Sequence, residues 1–481
     1  MREALRGTMT SPQLSDLALL LPELMLVATA LAVILAARRI QRSSVAALVT
    51  VLAALTAGLA SVWVLSLGTK TAFGGMIVAD GYSQFFKVLI AATLALTALL
   101  SARSLDDEQV PSGEYHTLLL LASTGMMIAV SAQDLLTLYL SLELMTLCSY
   151  ILVGIRVGNP TSNEAAIKYF LLASFSSALL IYGIALTYGA TGSTDFVAVA
   201  SAFSAHGPES SLLLLVAIGL VAAGLAFKIA AVPFHSWAPD AYQGASTPVA
   251  AFLAAGSKAV GLAALGRVCL VAFGTQAHVV AVILAVLAAS SIVAGSIIAL
   301  SQTNMKRLLA YSSISHAGYA LLGLIAGTSE GASATMTYAF FYVFMTLGAF
   351  GVVIALGERG ETLDGFQGLA AQRPGTAIVM LLFLASLTGL PPTAGFAAKF
   401  YVILSAVRSG HVALAILAVA CSVVSAFFYM RVAVLMYMNE PQDPAPGRVP
   451  AAVAAALAVA ALITLLGGIS PGILAAWAVS P

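Results

Sequence analysis

Four ionisable residues stand inside stretches that are otherwise apolar: Glu143 in DLLTLYLSLELMTLCSYILVG, Lys228 in LLLLVAIGLVAAGLAFKIAAVPFHSW, Lys258 in FLAAGSKAVGLAAL and Lys399 in LTGLPPTAGFAAKFYVILSAV. One acid and three amines in such surroundings suit proton relay. Burial favours the neutral form of an amine and a nearby carboxylate favours the charged form, so a partner that moves switches a buried lysine between holding and releasing a proton. Water between the groups would carry the proton onward. The plainer alternatives are inert ion pairs, or lysines that snorkel to an interface and anchor their helices. Snorkelling suits Lys87 and Lys168. It does not suit Lys258 and Lys399, which have roughly two or more helical turns of mostly apolar sequence on either side.

The elements that must position these groups follow from composition. Of 481 residues, 60% are hydrophobic and 9% charged, against roughly 25% charged in soluble domains. Apolar runs of the roughly 20 residues that a membrane helix needs follow one another from Leu17 almost to the C-terminus. The expected fold is an all-α polytopic membrane protein of about 14 transmembrane helices, starting near residues 17, 44, 80, 115, 134, 164, 211, 245, 277, 306, 331, 375, 411 and 450. A charge at bilayer depth costs at least about 2.5–3.5 kcal/mol, which makes each of the four a functional candidate. Glu143, nine residues after Asp134, would lie about 13 Å into its helix, near the midplane.

The apolar run from Leu17 to Ala37 follows Arg2 and Arg6 and precedes Arg38, Arg39 and Arg42; it reads as a first span with a stop-transfer cluster rather than a secretory signal. Placing that cluster in the cytoplasm puts Arg103, Arg156, Lys168, Lys306, Arg307, Arg359, Arg373, Arg431 and Arg448 there as well. The opposite loops hold mainly Lys70, Arg267, Arg408, Asp195 and Glu209, so both termini are expected outside. Residues 192–210 are too polar to cross; Phe196, Val197, Val199 and Phe203 suggest a short amphipathic surface helix, with an ordered loop as the alternative.

Two helices carry a break beside their lysine. Pro233 follows Lys228 by five residues, and Gly389, Pro391, Pro392 and Gly395 precede Lys399. Backbone groups freed by such breaks need protein or water partners, so a broken membrane helix generally lines a cavity or ion path. The breaks lie about five spans apart, which points to two inverted five-helix repeats, over residues 115–271 and 277–437, within a single unit 1–481 flanked by helices near 17–101 and 450–474. Three further residues are possible relays. His235, in PFHSWAPDAYQG, sits at the expected cytoplasmic end. His316, in MKRLLAYSSISHAGYALLGL, shares a polar region with Tyr311, Ser312, Ser313 and Ser315, and imidazole exchanges protons near neutral pH. Lys306 suits a gate, beside an interfacial Arg307.

Other functions find no support. Cys148, Cys269 and Cys421 are isolated, with no CxxC and no histidine at ligand spacing, so iron-sulfur, zinc and disulfide frameworks are unsupported. The net charge of +1 excludes the basic footprint of a nucleic-acid binder. Polar stretches run to about 20 residues at most, too short for a soluble catalytic domain.

The segments GMMIAVSAQDLLTLYLSLELMTLCSYIL, NEAAIKYFLLASFSSALLIYGIALTYGATG, FKIAAVPFHSWAPDAYQGASTPVAAFL, MKRLLAYSSISHAGY and SLTGLPPTAGFAAKFYV, in that order, resemble the antiporter-like membrane subunits of respiratory complex I, the bacterial proton-translocating NADH:quinone oxidoreductase. Within that family the PDAYQGAS and NEAAIKYF stretches are most similar to the subunit N branch. A lysine in the twelfth helix departs from the glutamate of the M type, and little sequence follows the fourteenth run to form the long lateral helix of the L type. Ser246 replaces a proline usual in the family, which puts no mechanistic residue in doubt. The resemblance implies that Glu143, Lys228, Lys258 and Lys399 are the proton-path residues. It implies membrane-arm and peripheral redox subunits as partners, with FMN, iron-sulfur clusters, NADH and a quinone used by the complex and none held on this chain. It also implies a bacterial inner membrane. A subunit of a multisubunit Na+/H+ antiporter is the alternative.

Overall fold

The computed structural model describes residues 14–38, 42–205, 212–441 and 447–472. Arg2, Arg6, Arg39 and Glu209, used above for orientation, lie outside the described residues, as do the last two residues of the expected 450–474 helix. In lipid every backbone N–H and C=O must be satisfied internally, so apolar runs of this length form helices. They are α1 (Leu21–Ala36), α2 (Ser43–Ser66), α3 (Gly81–Asp107), α4 (Ser112–Ser131), α5 (Leu135–Val153), α6 (Pro160–Thr191), α7 in two pieces (Leu212–Lys228 and Trp237–Gly244) and α8 (Thr247–Ala272). There follow α9 (Ala277–Ala299), α10 (Met305–Ile325), α11 (Ser329–Leu356), α12 in two pieces (Pro374–Thr388 and Ala394–Arg408), α13 (Val412–Met438) and α14 (Ala451–Ile469). Among the described residues ten helices are long and apolar enough to cross a membrane singly; α1, α4 and the two-piece α7 and α12 supply the rest. The fold is an all-α polytopic membrane protein.

Side chains fix where several spans start. Asp80, Asp134, Asn159, Asn304 and Thr328 accept hydrogen bonds from the first free N–H groups of α3, α5, α6, α10 and α11. Successive spans reverse direction, so odd-numbered spans begin at one face, called here the Asp80 face, and even-numbered spans at the other, the Asp240 face. α5 and α10 share a detail across this inversion: the residue capping each pairs with the loop following the next span, Asp134 with Asp195 on the Asp80 face and Asn304 with Thr362 on the Asp240 face. α8, α10 and α11 are almost wholly enclosed by the other helices, whereas α9, α13 and α14 turn most of their surface outward.

The structure corrects several expectations. Lys87 does not snorkel: its side chain is 0% exposed and pairs at 2.7 Å with Glu23, itself 3% exposed. Lys168 is half-exposed and pairs with Glu164 and Asp240. Arg267 is no loop residue but is buried in α8, where it forms two 2.9 Å bonds to Asp80. The helix Phe196–Ala205 is present, yet Val197 points outward while Phe196, Val199 and Phe203 are buried. A small antiparallel hairpin, Lys70–Ala72 with Ile77–Ala79, closes the Asp80 face between α2 and α3; apolar periodicity gave no signal for it.

Candidate functional site

The Asp134 cap fixes α5, and nine residues on Glu143 presents a side chain that is 20% exposed. The first piece of α7 stops at Lys228, five residues before Pro233, so the chain leaves the helix well ahead of the proline. Backbone groups released there are taken up: Ala231 N–H donates to Ala226 O, Trp237 Nε1 to Phe227 O at 3.0 Å, and Val232 N–H to Ser291 Oγ at 2.9 Å. The ammonium is thereby held at a helix end. Lys228 Nζ donates to Glu143 Oε1 at 3.2 Å and to Thr146 Oγ1 at 2.7 Å. Thr146 lies three residues after Glu143, on the same face of α5.

Lys258 follows a five-residue widened turn, Leu253–Ser257, in which α8 switches to π-helical bonding. Such bulges recur at functional sites because they rotate the next side chain relative to the helix before it. Lys258 Nζ donates to Ser313 O at 2.5 Å, and the neighbouring Ser257 Oγ reaches Lys228 O at 3.4 Å. The central lysine therefore stands between α7 and α10.

On α10, His316 Nδ1 lies 2.6 Å from Tyr338 OH of α11, and its Nε2 lies 3.4 Å from Tyr429 OH of α13. Tyr429 also bonds Ser312. Beyond them, Lys399 Nζ donates to Thr388 O at 2.9 Å and to Ser422 Oγ at 3.0 Å, with its charge 4.5 Å from the centre of the Tyr319 ring. Gly389 makes room for this lysine: its φ is +88°, and a Cβ there would meet Lys399 Cδ at 2.9 Å.

Lys228, Lys258, His316 and Lys399 are buried and, with the half-buried Glu143, lie in one polar series. The direct contacts are local. Among the described residues no side-chain hydrogen bond joins Lys228 to Lys258, or His316 to Lys399. The groups are amines, a carboxylate, an imidazole and hydroxyls, all of which pass protons and bridge readily through water. Lys306 stands apart at the Asp240 face, fully buried, 2.6 Å from Glu361 Oε1 and 3.1 Å from Ala245 O. Arg307 beside it pairs with Asp240 at 2.7 Å. His235 is half-exposed and contacts the Pro233 carbonyl at 3.3 Å; among the described residues no side-chain hydrogen bond joins it to the other candidates. Tyr311 is half-exposed and outside the series, and among the described residues Ser315 Oγ bonds the Ser312 carbonyl alone.

Thr146, Tyr338, Tyr429, Ser422 and Glu361 were missed in the sequence. Thr146 alone had a local signal, one turn from an acid in an apolar helix. Among the described residues, no group of three or more His, Cys, Asp and Glu side chains is arranged to hold a metal ion.

The family described as NADH:quinone oxidoreductase/Mrp antiporter, transmembrane, matches residues 132–425. NADH-quinone oxidoreductase subunit N of Desulfovibrio desulfuricans is 44% identical over 97% of both chains. Subunit N 2 of Rhizobium meliloti is 45% identical over 85% of this chain and 84% of its own length. A chain of respiratory complex I from Thermus thermophilus superposes with a TM-score of 0.81 at 34% identity, covering 95% of this chain and 99% of that one. A chain of the Mrp complex from a Dietzia species shares the fold, with a TM-score of 0.85 at 22% identity over 96% of each.

Proposed function

This chain belongs to the NADH:quinone oxidoreductase/Mrp antiporter family, in its subunit N branch, and from that premise we propose that it moves protons across a membrane as part of the membrane arm of an NADH:quinone oxidoreductase. The observation that carries the reading is the Glu143–Lys228 pair at the end of an interrupted helix, followed by Lys258, His316 and Lys399 through the enclosed centre. Opening the pair removes a carboxylate from Lys228 and favours release of its proton; closing it favours uptake. Lys258 is the next acceptor. The hydroxyls of Tyr429 and Ser312 connect the neighbourhood of Lys258 with His316, and Lys399 lies beyond. We place Lys306 and Glu361 at the mouth of the path on the Asp240 face, and assign that face to the cytoplasm of a bacterial cell, with both termini outside.

On this reading, NADH oxidation and quinone reduction, with their FMN and iron-sulfur clusters, occur on partner subunits. Their energy reaches this chain as changes in position and charge. Residues 115–271 and 277–437 form the two inverted repeats, and the matching loop pairings of Asp134 and Asn304 support that division. The test is quinone-reductase turnover of assembled Glu143→Gln and Lys228→Met complexes. A fall of about tenfold, equivalent to about 1.4 kcal/mol of barrier, is expected. Normal turnover with normal proton yield in both would remove the pair from the path.

A further inference from the structure

A second buried acid–amine pair lies outside the series just described. Glu23 of α1 and Lys87 of α3 meet at 2.7 Å, with 3% and 0% of their side chains exposed. Gln84, one turn earlier on α3, is also buried, and only its amide nitrogen is engaged, donating to Ser83 Oγ at 3.3 Å. Apart from the Glu23–Lys87 contact itself, neither carboxylate oxygen of Glu23, nor Lys87 Nζ, nor Gln84 Oε1 has a well-formed hydrogen bond among the described residues. A buried ion pair this poorly bonded is not a source of stability, since two apolar side chains would hold the helices as well. A cluster of unmet polar valences is instead the kind of place where internal water binds.

The surroundings give the cluster a direction. Asp80, Gln84 and Lys87 follow at i, i+4 and i+7 along one side of α3, so a polar line runs inward from the Asp80 face. At its outer end Asp80 holds Arg267 in two 2.9 Å bonds. The other side of α3 carries Phe85 and Phe86, edge to face at 5.3 Å, with Phe85 against Phe340 of α11. Those rings stand on the side of α3 turned away from the Asp80–Lys87 line, and among the described residues no hydrogen bond or ion pair joins Glu23, Lys87 or Gln84 to the lysine series.

We propose that Glu23, Lys87 and Gln84 form a second proton-exchange site, reached by water from the Asp80 face and independent of the Glu143–Lys399 series. In the exchange the Lys87 ammonium gives a proton to the Glu23 carboxylate, leaving an amine and a carboxylic acid. The acid releases that proton to water along the Gln84 side, and the amine regains one from water. No cofactor takes part.

Two measurements on the intact complex decide the matter. The first is reaction of the wild-type complex with a hydrophobic carbodiimide during NADH oxidation, located by peptide mass spectrometry; the reagent adds only to a carboxyl that carries a proton. An adduct on Glu23, absent when NADH is withheld, is expected. The second is the proton yield per NADH of a Glu23→Leu/Lys87→Leu complex in sealed vesicles. A lower yield at unchanged assembly is expected. An unmodified Glu23, or a double variant with the wild-type yield, overturns the proposal, and if the double variant does not assemble the labelling alone decides. A Glu143→Gln complex in the same vesicles reports on the main path separately.

Discussion

At the level of single residues, what separates a lysine held in a polar network from one that anchors its helix is what its ammonium touches. Lys228 has a carboxylate and a hydroxyl as partners, Lys399 a carbonyl, a hydroxyl and an aromatic face. Hydrogen bonds to charged groups contribute about 1.5–3 kcal/mol each. Thr146→Val should therefore slow turnover by about tenfold without loss of assembly, and Thr146→Ser should restore it; equal rates in both would show that the hydroxyl does not position Lys228. Tyr429→Phe, which removes the hydroxyl between Ser312 and His316, should likewise slow turnover while leaving NADH oxidation by an artificial acceptor intact. The four principal charges were legible in the sequence because a charge in an apolar run is a signal in one dimension. Tyr338 and Tyr429 were not, since tyrosine is common in helical cores and only the meeting of three spans makes these two partners of His316. The pairing of Lys87 was not legible for a related reason: its partner, Glu23, sits two helices away in the apolar run that forms the first span.

At the level of elements, the two broken helices do the positioning. Span starts were legible to within a few residues because apolar runs mark them, and in the structure the caps Asp80, Asp134, Asn159, Asn304 and Thr328 fix five of them. The point where α7 ends was not, since Pro233 drew attention five residues too late, and the π-helical turn before Lys258 has no sequence signature. Gly389→Ala tests the α12 break: a methyl group at positive φ and against the Lys399 stem should push the ammonium from Thr388 O and Ser422, lowering proton yield in an assembled complex. An unchanged yield would mean that the Lys399 geometry is not critical. The Asp80–Arg267 contact joins α3 to α8. Burial pushes the Asp80 carboxyl up, but Arg267 and the N–H of Ser83 more than offset this and hold it below the ordinary carboxylate value. Its contribution is thus complete above the unfolded-state value and is lost as pH falls through the folded one. Arg267→Met should cost about 3–5 kcal/mol at neutral pH, and the deficit against wild type should shrink in acid; a pH-independent deficit in thermal melting would contradict this.

For the whole molecule, the chain belongs to the NADH:quinone oxidoreductase/Mrp antiporter family, and α8, α10 and α11 are the spans most enclosed by the others. The all-α membrane architecture was legible from composition alone, because so low a charged fraction leaves lipid as the only solvent. The fold does not separate a respiratory pump from a Na+/H+ antiporter, since both kinds of chain share it; the likeness to subunit N chains does. Gentle purification through this chain should recover flavin and iron-sulfur subunits with NADH:quinone activity, and recovery of small membrane partners alone would favour the antiporter. The most direct test of the central claim is the number of protons moved per NADH oxidised in sealed vesicles carrying a Lys228→Met complex. The account predicts a yield below wild type at equal assembly, with the remaining turnover still inhibitor-sensitive. A wild-type yield would contradict it and leave the buried series as a structural feature.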